Sequence, residues 1–445
     1  MMELPRAVDD LVAAAARAVE PRALKSVVER VLDAFDEAPE AERNAALRSI
    51  GGALGKLDGR GAQILSLALG ALVESGASPE LAWPAVGDDL ADLLDRATAF
   101  ARAAVAHAKD EDVESAIESA GAAVAKKRPR DGEAWKALPS RCLAAVACLT
   151  RSRTLRNRAR KNPTLETAAW PLSDVISEVG YLLQALRIVD DETLVVLLPD
   201  AARGWRVTLD AMPSNAELYI LLADALLAPK AGGNDRKVER LLGARPDPKA
   251  VAAIREGTLP PKRVASSKVP FQLVSWTALA ADGSLPRSDA SLTDHWIWME
   301  GIPADIPVGP DDERVVLVQA APKTRALPVA PSFESLRPDV QISAELPSDD
   351  VARMLLDLGR AAAHVHSADD SLASENAAST KKARKKPAAK KPAAKKPAAK
   401  KPAAKKPAAR KPTARKPTAR KPTAKKPTAR KPAARKPTAK ARRRA

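Results

Sequence analysis

Aromatic residues are scarce in this chain of 445 residues, at 3%, and the last 65 residues contain none. That absence argues against a platform on which single-stranded nucleic acid bases could stack. Cysteine is nearly missing too. Cys142 and Cys148 stand six apart in an Ala-rich stretch, neither a metal-ligand spacing nor a disulfide framework, so both are expected to be buried thiols in a reducing compartment. Long apolar runs are also missing: the longest uncharged stretches, Gly61 to Val73 and Val269 to Ala281, fall short of the roughly 18 residues a membrane span requires. Residues 1–20 set Asp9 and Asp10 before a short Ala run broken by Arg17, which is not the basic-then-apolar layout of a signal peptide. A cytoplasmic location is expected.

Catalytic signatures are absent as well. No Gly-x-Ser-x-Gly elbow or His-Glu-x-x-His pair occurs. Gly51, Gly52, Gly55 and Lys56 imitate a phosphate loop, but Ile50 stands at the motif's first glycine, Leu57 at its Ser or Thr, and no strand precedes it. His364 and His366 lie two apart near a helix end while His107 and His295 are distant, so metal binding would need ligands from elsewhere. No catalytic residue, cofactor or metal is expected.

From Lys381 onward there is no Asp or Glu either, against 29 Lys and Arg. The segment is a five-residue repeat, Lys-Lys-Pro-Ala-Ala drifting to Arg-Lys-Pro-Thr-Ala, with proline at every fifth position from Pro387 to Pro437. Its cations stand in pairs at Lys385 and Lys386, Lys390 and Lys391, Lys395 and Lys396, Lys400 and Lys401, Lys405 and Lys406, Arg410 and Lys411, Arg415 and Lys416, Arg420 and Lys421, Lys425 and Lys426, Arg430 and Lys431, and Arg435 and Lys436. Lys381, Lys382 and Arg384 before the pairs, and Lys440, Arg442, Arg443 and Arg444 after them, complete the 29. Each proline removes an amide donor and costs about 3 kcal/mol in a helix interior, and the next arrives within one and a half turns. Strand pairing fails for the same missing donor, and no apolar surface offsets the ordering entropy. The expectation is a disordered, extended polycation whose charge is spread around its axis, suited to a continuous polyanion. Duplex DNA carries a charge per roughly 1.7 Å, so such a tail would bind phosphates with strong salt dependence and little sequence information.

This segment resembles the Lys-, Ala- and Pro-rich C-terminal domain of linker histone H1 and the similar tails of bacterial nucleoid proteins built on Lys-Pro-Ala-Ala repeats. The resemblance covers residues 381–445 and implies non-specific DNA binding and compaction. The tail is similar in style to that of the mycobacterial heparin-binding adhesin, which implies sulfated glycan as the other partner.

Taking the 29 tail cations from the chain's 73 Lys and Arg leaves 44 against 55 acidic residues, so residues 1–380 carry a net charge near −11. The body is acidic. Val8, Leu11, Val12, Ala15, Ala16 and Val19 follow helical spacing, and Leu24, Val27, Val28, Val31, Leu32 and Phe35 repeat it. Further helices are read around 40–50, 62–74, 89–108, 111–125, 133–150 and 173–189, packed closely where alanine is dense. Past Asp190 come β-type runs at Thr193 to Leu198 and Trp205 to Leu209 around a six-residue loop, then a helix from Ser214 to Leu227 with Ser214 and Glu217 as a capping box. Phe271 to Trp276, His295 to Met299, Arg314 to Gln319 and Val340 to Leu346 also read as strands, before a helix at 348–364. The expected class is mainly α: a helix bundle or irregular helical stack over 1–192, a smaller α+β domain over 193–366, a linker at 367–380 and the disordered tail. The phrases Gly-Trp-Arg-Val (204–207), Asn-Ala-Glu-Leu-Tyr-Ile-Leu-Leu-Ala-Asp-Ala-Leu (215–226) and His-Trp-Ile-Trp-Met-Glu-Gly-Ile-Pro-Ala-Asp-Ile-Pro (295–307) resemble an uncharacterised bacterial family, with no activity implied.

Two body segments are unusual. In Asp294-His295-Trp296-Ile297-Trp298-Met299-Glu300 a strand would set Trp296, Trp298 and Glu300 on one face, where they either line a ligand pocket or supply core. Between Lys126 and Lys161 stand twelve basic residues against two acidic ones, and on a helix Arg153, Arg156 and Arg160 share a face. That face is a candidate second phosphate-contacting patch, or else a solvated or acid-paired surface. The leading expectation is a non-enzymatic, nucleoid-associated DNA-binding protein with the body as interaction or spacing module. The alternative is a protein-interaction module with an unknown partner, anchored by its tail to DNA, RNA or sulfated glycan.

Overall fold

In the computed structural model the described residues are 3–17, 21–57, 59–109, 112–228, 236–286 and 293–383. The helical part opens with α1 (Leu4–Ala16), α2 (Pro21–Glu37), α3 (Glu40–Leu54) and α4 (Gly59–Glu74). It continues with α5 (Pro79–Val86), α6 (Leu90–Ala108), α7 (Val113–Lys127), α8 (Pro129–Arg151), α9 (Arg153–Arg160), α10 (Thr164–Ala169) and α11 (Ser177–Leu186). Proline opens α2, α5 and α8, where its missing amide would be unsatisfied anyway. The α5 helix, at 79–86, has no counterpart in the sequence reading; Pro84 in its interior hid it.

Helix α8 is the spine of this part. It packs along α4 and α6 and buries Leu138, Ala144, Ala145 and Cys148. Gly70 of α4 lies against the Ala144 backbone, where a Cβ would come within 3.2 Å of its Cα. The dense alanines thus serve close helix approach. One cluster runs through Leu11, Phe35, Leu47, Leu69, Leu94, Leu149 and Leu182, each worth roughly 1.5–3 kcal/mol of apolar burial.

The second part is a five-stranded mixed sheet in the order β3-β4-β1-β2-β5, comprising β1 (Glu192–Leu198), β2 (Arg203–Asp210), β3 (Ser266–Ser275), β4 (Arg314–Pro328) and β5 (Asp339–Leu346). Only β1 and β4 run parallel. Between the strands lie α12 (Asn215–Leu226), α13 (Arg236–Leu242) and α14 (Pro248–Arg255), and α15 (Ser348–Ala383) follows β5. Leu194 and Val196 face a core shared with Leu218, Tyr219 and Leu222 of α12. Val195 and Leu197 face Val351, Leu358 and Ala362 of α15. Burial on both faces explains why β1 is an unbroken apolar run.

Three expectations change. His295 to Met299 is not a strand: a short 3₁₀ turn covers Thr293–His295, and a single bridge joins Trp296 to Val274. Helix α15 has the bounds Ser348–Ala383, beyond the closing helix expected over 348–364. The capping box forms only in part: Ser214 accepts from the Glu217 amide, but the Glu217 carboxylate turns to the amide of Ser332 instead of reaching back to Ser214 N–H. The chain is thus mainly α with a small α+β part. By contacts the helical and sheet parts share one compact unit. No helix among the described residues is long and apolar enough to cross a membrane.

Candidate functional sites

The cations from Lys385 to Arg444 lie outside the described residues, so the site geometry concerns the body. There the candidate patch resolves into an ion-pair network at the junction of the two parts. Helix α9 starts after the capping hydroxyl of Ser152 and projects three arginines toward the entry to β1. The Arg156 side chain is 5% exposed and that of Asp190 is fully buried; Nε and Nη2 of Arg156 donate to the two carboxylate oxygens at 2.9 and 2.5 Å. Its Nη1 donates to the carbonyl of Leu149 at 2.8 Å, in the last turn of α8. Arg160 donates to the same Asp190 and lies 3.6 Å from Glu192. Glu192 also accepts from Arg314 of β4 at 2.7 Å, and Arg153 pairs with Asp191 and Asp210.

Arg153, Arg156 and Arg160 therefore do not present a free cationic face. The two acids within the basic stretch, Asp131 and Glu133, gave no hint of this, because the partners lie some thirty residues on. Removing one partner of a buried pair leaves an uncompensated charge and costs about 3–5 kcal/mol. The network joins the helical part to β1, β2 and β4.

The segment 294–300 forms a strap along the outer edge of β3. Ile297 N–H donates to the Leu273 carbonyl at 2.9 Å, and the Ile297 carbonyl accepts from the Tyr219 hydroxyl at 2.9 Å and the Gln272 amide at 3.1 Å. Asn215 donates to the Trp298 carbonyl at 2.7 Å. These side chains supply the partners a neighbouring strand would have supplied. The indoles of Trp296 and Trp298 do meet, with centroids 5.2 Å apart, and Arg325 of β4 lies 5.2 and 5.0 Å from the two ring centres. Trp298 remains 43% exposed. Arg325 thus covers one face of each indole. Asp305 ends a 3₁₀ turn and pairs with Arg187.

The remaining candidates have structural settings. Gly51 and Gly52 lie inside α3 and Gly55 caps its C-terminus, the wrong helix end for a phosphate loop. Cys142 and Cys148 are free and buried, and burial pushes the Cys148 thiol up to about 12 and the Cys142 thiol higher still. Among the described residues no group of three or more His, Cys, Asp or Glu could hold a metal ion. Asp112 caps α7 through the Ser115 amide, whereas Asp110 and Glu111 lie outside the described residues.

Two features escaped the sequence. Glu217 is 2% exposed, and burial raises its carboxyl to about 7 even though the Ser332 amide and the Ser214 hydroxyl donate to it. Between β4, β5 and α15 a cleft of about 580 Å³ has Val315, Leu346 and Leu358 in its lining, beneath Asp350 and a bidentate Arg206–Glu313 pair. No family model matches the chain, and no curated protein or solved structure is similar to it.

Proposed function

We propose that this protein binds duplex DNA without sequence preference and without enzymatic activity, through the basic repeat of residues 381–445, the folded body serving as an interaction or spacing module. The observation that carries this reading is the repeat itself: 29 cations, no acid and a proline at every fifth position from Pro387 to Pro437. Such a segment has neutralising charge in excess and no scaffold for base readout. A second observation supports it. The candidate competitor in the body, Arg153, Arg156 and Arg160, is matched by Asp190, Asp191, Glu192 and Asp210. The remaining body is acidic and repels phosphate at long range. A nucleoid location follows from the same chemistry.

The cleft beside α15 favours, as a second reading, an interaction module that uses the tail as an anchor. Gel-shift assays with duplexes of unrelated sequence separate the two readings. The full chain retards every duplex alike, and a truncation ending at Thr380 retards none. Retention of DNA binding by the truncation rejects the tail-driven reading, and preference for sulfated glycan over duplex moves the partner away from DNA.

A further inference from the structure

The cleft between β4, β5 and α15, with its volume of about 580 Å³, lies within the size range of ligand sites. Two local features build its walls. On one side Met354, Leu358, Ala361 and Val365 follow one another at i, i+4, i+7 and i+11, so they share one face of α15. Leu358 turns into the core with Val315 and Leu346, whereas Met354 and Ala361 are only half-buried and Val365 is 42% exposed. On the other side a turn closes between Val308 and Arg314: Gly309 N–H donates to the Glu313 carbonyl at 2.7 Å, and Asp312 takes the left-handed conformation at φ 59°. The turn sets Asp311 and Glu313 in the lining and leaves Val308 45% exposed beside Gly309. Apolar surface rimmed by charge thus stays uncovered on both walls, the pattern of an interaction site.

The charges give the sign of the occupant. Asp311, Glu313, Asp350 and Asp357 line the cleft against Arg206 and Arg353. Both arginines are already matched, Arg206 by the bidentate bond to Glu313 and Arg353 by Asp350 at 2.7 Å. Asp357 lies 3.5 Å from Arg360, which is outside the lining, and Asp311 has no ion pair among the described residues. The Arg206 guanidinium is held above the ordinary arginine range, first by its bond to Glu313 and further by the charges of Glu313, Asp311 and Asp350, with burial opposing them. The cleft is therefore negative.

We propose that this cleft docks a basic amphipathic segment of a partner protein, its apolar side chains against Met354 and Ala361 and its Lys or Arg side chains against Asp311 and Asp357. The proposal rests on the reading of the body as an interaction module and names the chemistry of the partner. From Asp350 to His364 the lining of α15 spans about 21 Å at 1.5 Å per residue, the length of a helix of about 14 residues, so the cleft suits a helix laid in a groove. Charge on the rim steers such a partner and the apolar floor holds it. The chain's own basic repeat has the sign but, built of Lys, Arg, Pro, Ala and Thr, it carries no large apolar side chain.

The test is calorimetric titration of the full chain with a peptide of about 14 residues that sets leucine on one helical face and lysine on the other, beside a counterpart with glutamate for lysine. The basic peptide is expected to fill one saturable site. Asp311→Asn combined with Asp357→Asn, changes at exposed residues, weakens that binding about tenfold, the loss of two rim charges. Ala361→Leu, which fills the cleft without changing a charge, abolishes saturation while the far-UV circular dichroism is unchanged. A basic peptide that fails to bind, or that binds both variants unaltered, overturns the proposal. The acidic peptide then decides the reading beneath it: binding that Ala361→Leu removes keeps the cleft as an interaction site of the opposite preference, and binding that neither variant alters removes the interaction reading as well.

Discussion

Two stretches of this chain are rich in arginine and lysine, and they differ in what lies within reach of the charges. Residues 126–161 carry twelve cations against two local acids, yet Arg153, Arg156 and Arg160 meet Asp190, Asp191, Glu192 and Asp210 once the chain folds. Residues 381–445 carry 29 cations with no acid among them and a proline at every fifth position from Pro387 to Pro437. A local count of cations therefore does not identify a phosphate-binding surface. What matters is whether folding delivers carboxylates to those cations, and the repeat contains none of its own.

The largest expected effect is removal of the repeat. Ending the chain at Thr380 abolishes duplex binding at 50 mM salt as read by fluorescence anisotropy, whereas the full chain, with six to ten phosphate contacts, loses about 10³- to 10⁵-fold in affinity between 50 and 200 mM salt. The same stretch-by-stretch contrast predicts that Asp190→Ala leaves DNA affinity unchanged but destabilises the body by about 3–5 kcal/mol in urea unfolding, because Arg156 is stranded. Full stability with lost DNA binding would reverse the assignment of the two stretches.

A smaller effect concerns pH. The Glu217 carboxyl rises from an ordinary 4.5 to about 7 in the folded state, so its contribution is fully present below pH 4.5 and is lost as pH rises through 7. That loss is worth about 3 kcal/mol at 1.36 kcal/mol per unit. Glu217→Gln removes it, so the variant gains on the parent protein between pH 5 and pH 8 in paired unfolding curves; parallel pH profiles would contradict this origin. The smallest effect belongs to Arg158, exposed and 3.8 Å from Asp88. Arg158→Ala changes stability by less than about 0.5 kcal/mol and leaves DNA affinity intact.

The sequence carried the elements better than their partners. Helical spacing located α1, α2, α4, α6 and α7, and the apolar run of β1 and its hairpin partner were visible because burial patterns them directly. Helix α5 was hidden by Pro84, and the strap at 294–300 by its β-like composition; only the Tyr219 hydroxyl and Gln272, distant in sequence, determine that it pairs as a single bridge. Site chemistry was less legible still. The Arg156–Asp190 pair spans 34 residues and the Arg141–Asp89 pair spans 52, and no local pattern encodes such a meeting. Glu217 sits at a textual capping-box position, but its burial depends on Ser332, 115 residues away.

The most direct measurement is the dependence of duplex affinity on salt for the full chain and for the chain ending at Thr380. If the repeat neutralises about ten phosphates, log affinity against log salt falls with a slope near −9 for the full chain, alike for unrelated sequences, and the slope collapses toward zero in the shorter chain. A shorter chain that keeps the full slope would show that cations of the folded body hold the phosphates, and would contradict the account.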